Sequence, residues 1–354
     1  MSSAISLKAP PQHPVHDEGR KRGRPPAFAA IDLGTNNCRM LVGVPAAEGL
    51  NVLDSFSRVV RLGEGLYQTG TLSDAAMDRA INALAVCKNR LKRWDLEGVR
   101  AIATEACRQA ENGEAFIARI RSELDMPIET ILPREEAELA VESCASLIRL
   151  SGRRALLFDI GGGSTEIGWV RIPHDGGMPT LSAYLSIPVG VVTLTERCNG
   201  RCFTTEGFAD VVAEVTSLLQ PFEAIHRIRQ EIRQGGVRLV GTSGTVTTLA
   251  GVALKLERYR RGLVDGAILT REMVEAGMEA IHAMGHNGLA SHPCIGGDRV
   301  DFVMPGLAIF SAISELWPAP ELAVADRGLR EGMLLRMIRQ YRARTGWRAR
   351  SLNG

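Results

Sequence analysis

The stretch Leu156 to Trp169, LLFDIGGGSTEIGW, limits what this chain can fold into more than any other. An apolar run ends in Asp159, three glycines and a hydroxyl pair follow, and Glu166 opens a second apolar run. Two short apolar runs around such a turn predict a β-hairpin. Consecutive glycines tolerate positive φ and let backbone N–H groups approach a ligand, the makings of an oxyanion nest. An acid on each side would repel a phosphate held there, and a divalent cation between carboxylate and phosphate resolves the conflict. A plain hairpin with glycine in its turn accounts for the same residues. A weaker copy lies upstream. Phe28 to Val44 reads FAAIDLGTNNCRMLVGV, with Asp32, Gly34 and a polar turn through Thr35, Asn36 and Asn37 between apolar runs. Two Asp-x-Gly hairpins in one chain point to an internal duplication. Two phosphate-gripping hairpins that face each other describe a cleft.

A chain of 354 residues is long enough for two domains with separate cores. Its 45% hydrophobic and 23% charged residues match an ordinary soluble globular protein, and a net charge of +2 supplies no global attraction for nucleic acid. No apolar run reaches the roughly 20 residues of a membrane span, and the N-terminal stretch lacks the apolar core of a secretory signal. The seven cysteines are odd in number and scattered, as expected of reduced thiols in a cytoplasm. Cys198 and Cys202 form a C-x3-C pair, but no second Cys/His pair stands at zinc-site spacing, so no zinc is expected.

Residues 1–27, rich in proline and basic side chains, read as a disordered basic leader. Arg22-Gly23-Arg24-Pro25 within it resembles the core of an AT-hook, but a solvated basic leader explains a single copy better. From Phe28 onward the pattern predicts strands on both sides of the Thr35–Asn37 turn and a third from Asn51 to Leu62. Ser73 then caps a helix through Trp94, Val99 to Ala103 forms a buried strand, and a helix runs from about Gly113 to Leu124. A short strand from Ile128 to Leu132 precedes a helix from Pro133 to about Leu150. The order then repeats, with strands at 155–160, 166–172 and 181–192 and one long helix from Thr204 or Thr205 to Gln234. A buried strand at 237–241 turns through Thr242 to Thr245 into another helix. Helices at 271–284 and 296–316, a strand at 322–325 and a last helix from Arg327 to about Arg342 complete an α/β pattern.

Seven motifs lie in order along this frame: Ser57 to Leu66 (SRVVRLGEGL), Thr104 to Ala110 (TEACRQA), Glu135-Glu136-Ala137, the DIGGGSTE turn, Gly241 to Thr245 (GTSGT), Gly297-Asp298-Arg299, and Asp326 to Gly332 (DRGLREG). The duplicated hairpins resemble those of the actin-like ATPase superfamily. The whole set, spanning residues 28 to about 340, resembles the Ppx/GppA phosphatases, which are exopolyphosphatases and guanosine pentaphosphate phosphohydrolases. The resemblance implies two duplicated actin-like (ribonuclease H-like) domains, 28–148 and 149–326, with the active site in the cleft between them. Helix 327–345 would return to the first domain, leaving 346–354 as a tail. The resemblance further implies Glu136 as catalytic base, and Asp159 and Glu166 as holders of a divalent metal, Mg²⁺ first among them. Phosphate would be gripped by Asp32, Gly34, Thr35, Asn36, Asn37 and Arg39, by Gly161, Gly162, Gly163, Ser164 and Thr165, and by Ser243, Gly244 and Thr245. Arg108 matches the family's phosphate-facing arginine, Arg61 falls where basic residues line the cleft, and Arg299 and Arg327 would brace cleft or helix. Where the family often has Ser-Asn-Ser, this chain has Thr35-Asn36-Asn37, which keeps the hydrogen-bonding capacity.

Terminal phosphoanhydride hydrolysis needs positioning, charge neutralisation on the transferred phosphoryl and an acceptor for a water proton. Glu136, early in its helix, would serve as that acceptor. Read alone, Glu135, Glu136 and Glu138 are also the acids that a helix N-terminus favours. The expected activity is metal-dependent removal of the terminal phosphate of inorganic polyphosphate, with pppGpp 5′-phosphohydrolysis as the alternative. An ATP-dependent small-molecule kinase of the same fold and a non-catalytic phosphate or nucleotide sensor are more distant alternatives. The expected partners are polyphosphate or pppGpp and a second copy in a homodimer, in the cytoplasm, without membrane or nucleic acid.

Overall fold

The computed structural model of the chain describes residues 25–47, 49–149 and 152–347. Residues 1–24 of the basic leader, with most of the AT-hook-like stretch, and residues 348–354 of the expected tail lie outside them. The first half runs β1 (Ala27–Leu33), β2 (Asn37–Pro45), β3 (Leu50–Val59), α1 (Leu66–Thr69), α2 (Asp74–Leu91), β4 (Leu96–Ala103), α3 (Glu105–Gln109), α4 (Gly113–Leu124), β5 (Ile128–Thr130) and α5 (Pro133–Ile148). Ser73 caps α2 by accepting from the Ala76 N–H, as its residue type predicts. Pro133 opens α5 where its missing N–H costs nothing. The predicted strand 51–62 ends at Val59, because residues 60–63 leave the sheet to strap the first hairpin turn.

The second half runs β6 (Arg154–Ile160), β7 (Thr165–Arg171), β8 (Thr180–Ile187), α6 (Val191–Cys198), α7 (Thr205–His226), α8 (Ile228–Arg233), β9 (Val237–Thr242), α9 (Gly244–Ala253), α10 (Arg261–Val264), β10 (Ile268–Thr270), α11 (Arg271–Ser291), α12 (Val300–Leu316), β11 (Glu321–Ala325) and α13 (Leu329–Thr345). The strand expected to reach Val192 stops at Ile187, and its last residues turn into the short helix α6. The single helix expected over 204–234 is two, broken at Arg227 in the left-handed region at φ 51°.

The sheets carry the duplication. The first has strand order β3-β2-β1-β4-β5, and the second, read from its far edge, β8-β7-β6-β9-β11 with β10 added outside. In both, an antiparallel hairpin lies beside a parallel strand that ends in a turn leading into a helix. Such carboxyl ends of parallel strands are where open α/β sheets bind ligands. Helix α5 is wedged between the sheets. Leu139 packs with Phe28, Ala30 and α13, whereas Ala140, Val141 and Cys144 pack with Ala155, Leu157 and Val240 of the second sheet. Helix α13 returns to the first sheet through Met333, Leu334 and Ile338. No helix among the described residues is long and apolar enough to cross a membrane.

Candidate active site

The two hairpin turns meet. In the first, the Gly34 N–H donates to the Asn37 carbonyl at 2.9 Å, closing a turn with Thr35 buried. The Val60 and Arg61 N–H groups donate to the Asn36 carbonyl at 2.9 and 3.0 Å, and the Gly63 N–H donates to the Thr35 carbonyl at 2.9 Å. Arg61 therefore serves this turn through its backbone, and its side chain is exposed. In the second hairpin the Gly161 N–H donates to the Ser164 carbonyl at 2.9 Å. The Val191 and Val192 N–H groups at the start of α6 donate to the Gly161 and Gly162 carbonyls at 3.0 and 2.8 Å, so these oxygens are occupied away from an incoming anion. A Cβ on Gly162 would stand 3.0 Å from Thr35 Cβ, and one on Gly163 2.9 Å from Thr35 Oγ1. Only glycine lets the turns approach this closely.

Register puts the acids in matched places. Asp32 lies opposite Arg39 at the mouth of the first hairpin, and Asp159 opposite Glu166 at the mouth of the second. Glu166 accepts from Ser164 Oγ at 2.6 Å and Ser186 Oγ at 3.1 Å. Burial, reinforced by Asp159, pushes its carboxyl up to about 8. Burial likewise raises Asp159 to about 6 against the pull of Arg39, and raises Asp32, which Arg39 and Arg330 oppose. Glu136, in the first turn of α5 and 8% exposed, meets the same group. Burial and then the Glu166 carboxylate raise it well above the ordinary range, Arg108 opposes, and Asp159 and Asp32 add to the rise. Acids from both hairpins and the wedged helix thus act on one another across the cleft.

Arg108 donates from Nη1 to the Ile131 carbonyl at 2.7 Å and to Glu136 Oε2 at 3.3 Å, and from Nη2 to Glu105. Ser243 leads into α9 at φ 109°, a strained conformation for a residue with a side chain, and its buried Oγ has no partner. Gly244 beside it faces open space, and Thr245 packs under Gly306 of α12. Strained backbone, an unpartnered hydroxyl and the free amino end of a ten-residue helix together suit an anion. Arg299 is exposed, whereas Arg327 joins Ser146 Oγ of α5 at 2.6 Å to Asp265 Oδ1 at 2.9 Å.

Two residues escaped the sequence reading. Arg330, in the first turn of α13, has its pKa lowered by burial and by the like charge of Arg39, and lies near Asp32. Glu105, 7% exposed, holds Arg108 and accepts from Gln109 Nε2 at 2.7 Å. Both stand in quoted motifs beside a residue that drew the reading, Arg327 in one and Arg108 in the other.

Among the described residues no three His, Cys, Asp or Glu side chains are gathered as a metal cage. Magnesium needs only one or two protein carboxylates, with phosphate oxygens and waters completing its shell. Asp159 and Glu166, cross-strand neighbours, would supply that pair, and the buried Asp32 Oδ1 and Asn36 Oδ1 have no partner in the protein. Buried carboxylate and amide oxygens gathered in this way fit a hard divalent cation.

The Ppx/GppA phosphatase family model matches residues 43–341. A Haemophilus influenzae protein provisionally named an exopolyphosphatase is 29% identical over 92% of this chain and 95% of its own length. The guanosine-5′-triphosphate,3′-diphosphate pyrophosphatase of Photobacterium profundum is 30% identical over 90% of this chain, which spans 60% of that relative's length. The Aquifex aeolicus PPX-GPPA enzyme superposes at TM-score 0.72 with 26% identity, over 88% of this chain and 99% of that one. An exopolyphosphatase-like protein superposes at TM-score 0.79 with 27% identity, over 89% of this chain and 98% of that one. The paired sheets are those of the two-domain actin-like fold, and this chain belongs to the Ppx/GppA phosphatase family.

Proposed function

We propose that the chain is an exopolyphosphatase that hydrolyses the terminal phosphoanhydride of inorganic polyphosphate with Glu136 as general base. The observation that carries this reading is Glu136 itself, a buried carboxylate held beside Arg108 and raised in pKa by acids of both hairpins. A base works best with its pKa near the working pH, and burial among like charges moves a carboxylate upward from its ordinary range in that direction. Glu136 would orient the attacking water and take its proton. Thr35, Asn36, the glycine turn at 161–163 and Ser243 would hold the terminal phosphoryl group, with Arg39 and Arg108 supplying positive charge. Asp159 and Glu166 would hold a divalent cation, Mg²⁺ in the first instance, which when bound neutralises charge on the transferred phosphoryl. The site would lie between domains 28–148 and 149–326, with helix 327–345 belonging to the first. Six of the seven free cysteines are buried, which fits a reducing cytoplasm. We further expect a homodimer, to be read by light scattering.

Hydrolysis of pppGpp is the second reading, favoured by relatives of that name at 30% and 31% identity. Both substrates end in the same phosphoanhydride, so a side-by-side comparison of kcat/KM on long-chain polyphosphate and pppGpp tests the assignment. Preference for polyphosphate is the expected result, and preference for pppGpp overturns it.

A further inference from the structure

We propose that Glu105 is a positioning residue that sets the approach of Arg108 to Glu136. The inference rests on the reading of Glu136 as the base. A planar guanidinium has its direction fixed once two of its nitrogens are held. Arg108 Nη1 is held by the Ile131 carbonyl at 2.7 Å, and Nη2 by the buried Glu105 carboxylate. The contact to Glu136 Oε2 is longer, at 3.3 Å, so Glu136 receives the arginine rather than placing it. Glu105 is itself held, because its other oxygen accepts from Gln109 Nε2 at 2.7 Å. A relay therefore runs from Gln109 through Glu105 and Arg108 to Glu136.

The relay also touches the opposite hairpin. A Cβ on Gly163 would stand 3.0 Å from Glu105 Cγ, so the glycine turn backs directly onto the stem of this side chain and leaves no room for a larger residue. Glu105 is thus confined by the first half through Arg108 and Gln109 and by the second through Gly163.

The test measures phosphate release from long-chain polyphosphate and from pppGpp by the full chain, Glu105→Gln, Arg108→Ala and the double variant, with thermal midpoints alongside. Glu105→Gln keeps the shape and removes the charge. It is expected to lower kcat about 10- to 100-fold with KM changed by less than about 3-fold. In the Arg108→Ala background the same substitution is expected to cost less than about 2-fold, because its effect passes through the arginine. A wild-type-like kcat, or an equal loss in both backgrounds, overturns the inference. A merely structural role would lower the thermal midpoint and act equally in both backgrounds. If Glu105→Gln does not fold, Gln109→Ala carries the test, with a kcat about 3- to 10-fold lower expected and an unchanged kcat overturning the relay. A wild-type chain that releases no phosphate from either substrate sinks the functional reading and this inference together. An active wild type with additive variants sinks the inference alone.

Discussion

A carboxylate buried beside other carboxylates is costly to ionise, and Glu136, Asp159 and Glu166 share that cost. For Glu136, as the proposed base, the consequence would be catalytic. Glu136→Gln keeps the volume and removes the base, and kcat should fall about 10²- to 10⁴-fold with the thermal midpoint unchanged or raised. Steady-state phosphate release checks this, and wild-type-like turnover rules out the base. For Asp159 and Glu166 the consequence is a pH-dependent stability. Their folded pKa values, about 6 and about 8, lie above ordinary carboxylate values, so the folded state keeps protons that the unfolded chain releases. Their contribution is fully present below the ordinary carboxylate range and is lost as pH rises through those values. In cation-free buffer the thermal midpoint should fall between about pH 5 and about pH 9, and Glu166→Gln should flatten the upper part of that fall. If these carboxylates hold Mg²⁺ as proposed, added Mg²⁺ should raise the midpoint most at high pH, where they are ionised. The acids that reach these positions were legible because each stands in a glycine-rich or acidic motif. Arg330 was not, because an arginine in the first turn of a helix carries no local sign that it will lie beside Asp32.

At the scale of elements, the hairpins were legible as apolar run, acid, glycine turn and apolar run. The elements that failed to show were short or lacked a breaker. Helix α6 follows directly on the apolar residues of β8, and its eight residues are too few to establish a helical period. The break at Arg227 carries no glycine or proline to announce it, since an arginine there takes the left-handed conformation that glycine usually supplies. Helix α6 matters because its first N–H groups hold the glycine turn, and Gly190 is where it approaches. A Cβ on Gly190 would stand 2.4 Å from the Gly162 carbonyl oxygen and 2.6 Å from the Gly163 nitrogen. Its φ of −134° suits any residue, so the obstacle is contact alone. Gly190→Ala should therefore displace the turn and lower kcat more than about 10-fold while the chain still folds. Circular dichroism and turnover measured together check this, and normal turnover would show that the turn yields.

At the scale of the molecule, two duplicated halves were legible in the repeated order of elements, but the contacts that close them were not. Those contacts join residues far apart in the chain. Glu196 Oε1 on α6 accepts from the Gly65 N–H at 2.9 Å, and Arg197 lies over the Tyr67 ring at 5.9 Å. No local pattern announces either, because each partner alone reads as a surface residue. Glu196 makes this link with one oxygen only, while its buried Oε2 has no partner. One hydrogen bond of this kind contributes about 1 kcal/mol net, which is roughly a 5-fold shift in an opening equilibrium. If closure follows from gripping phosphate between the turns, removing the link weakens substrate binding and leaves chemistry in the closed state intact. Glu196→Ala should then raise KM about 3- to 10-fold with kcat changed by less than about 2-fold, and should enlarge the radius of gyration by small-angle scattering. Saturating polyphosphate should return that radius to the wild-type value. A fall in kcat at unchanged KM would mean instead that α6 acts through the glycine turn it anchors, and that the link across the cleft does not control closure.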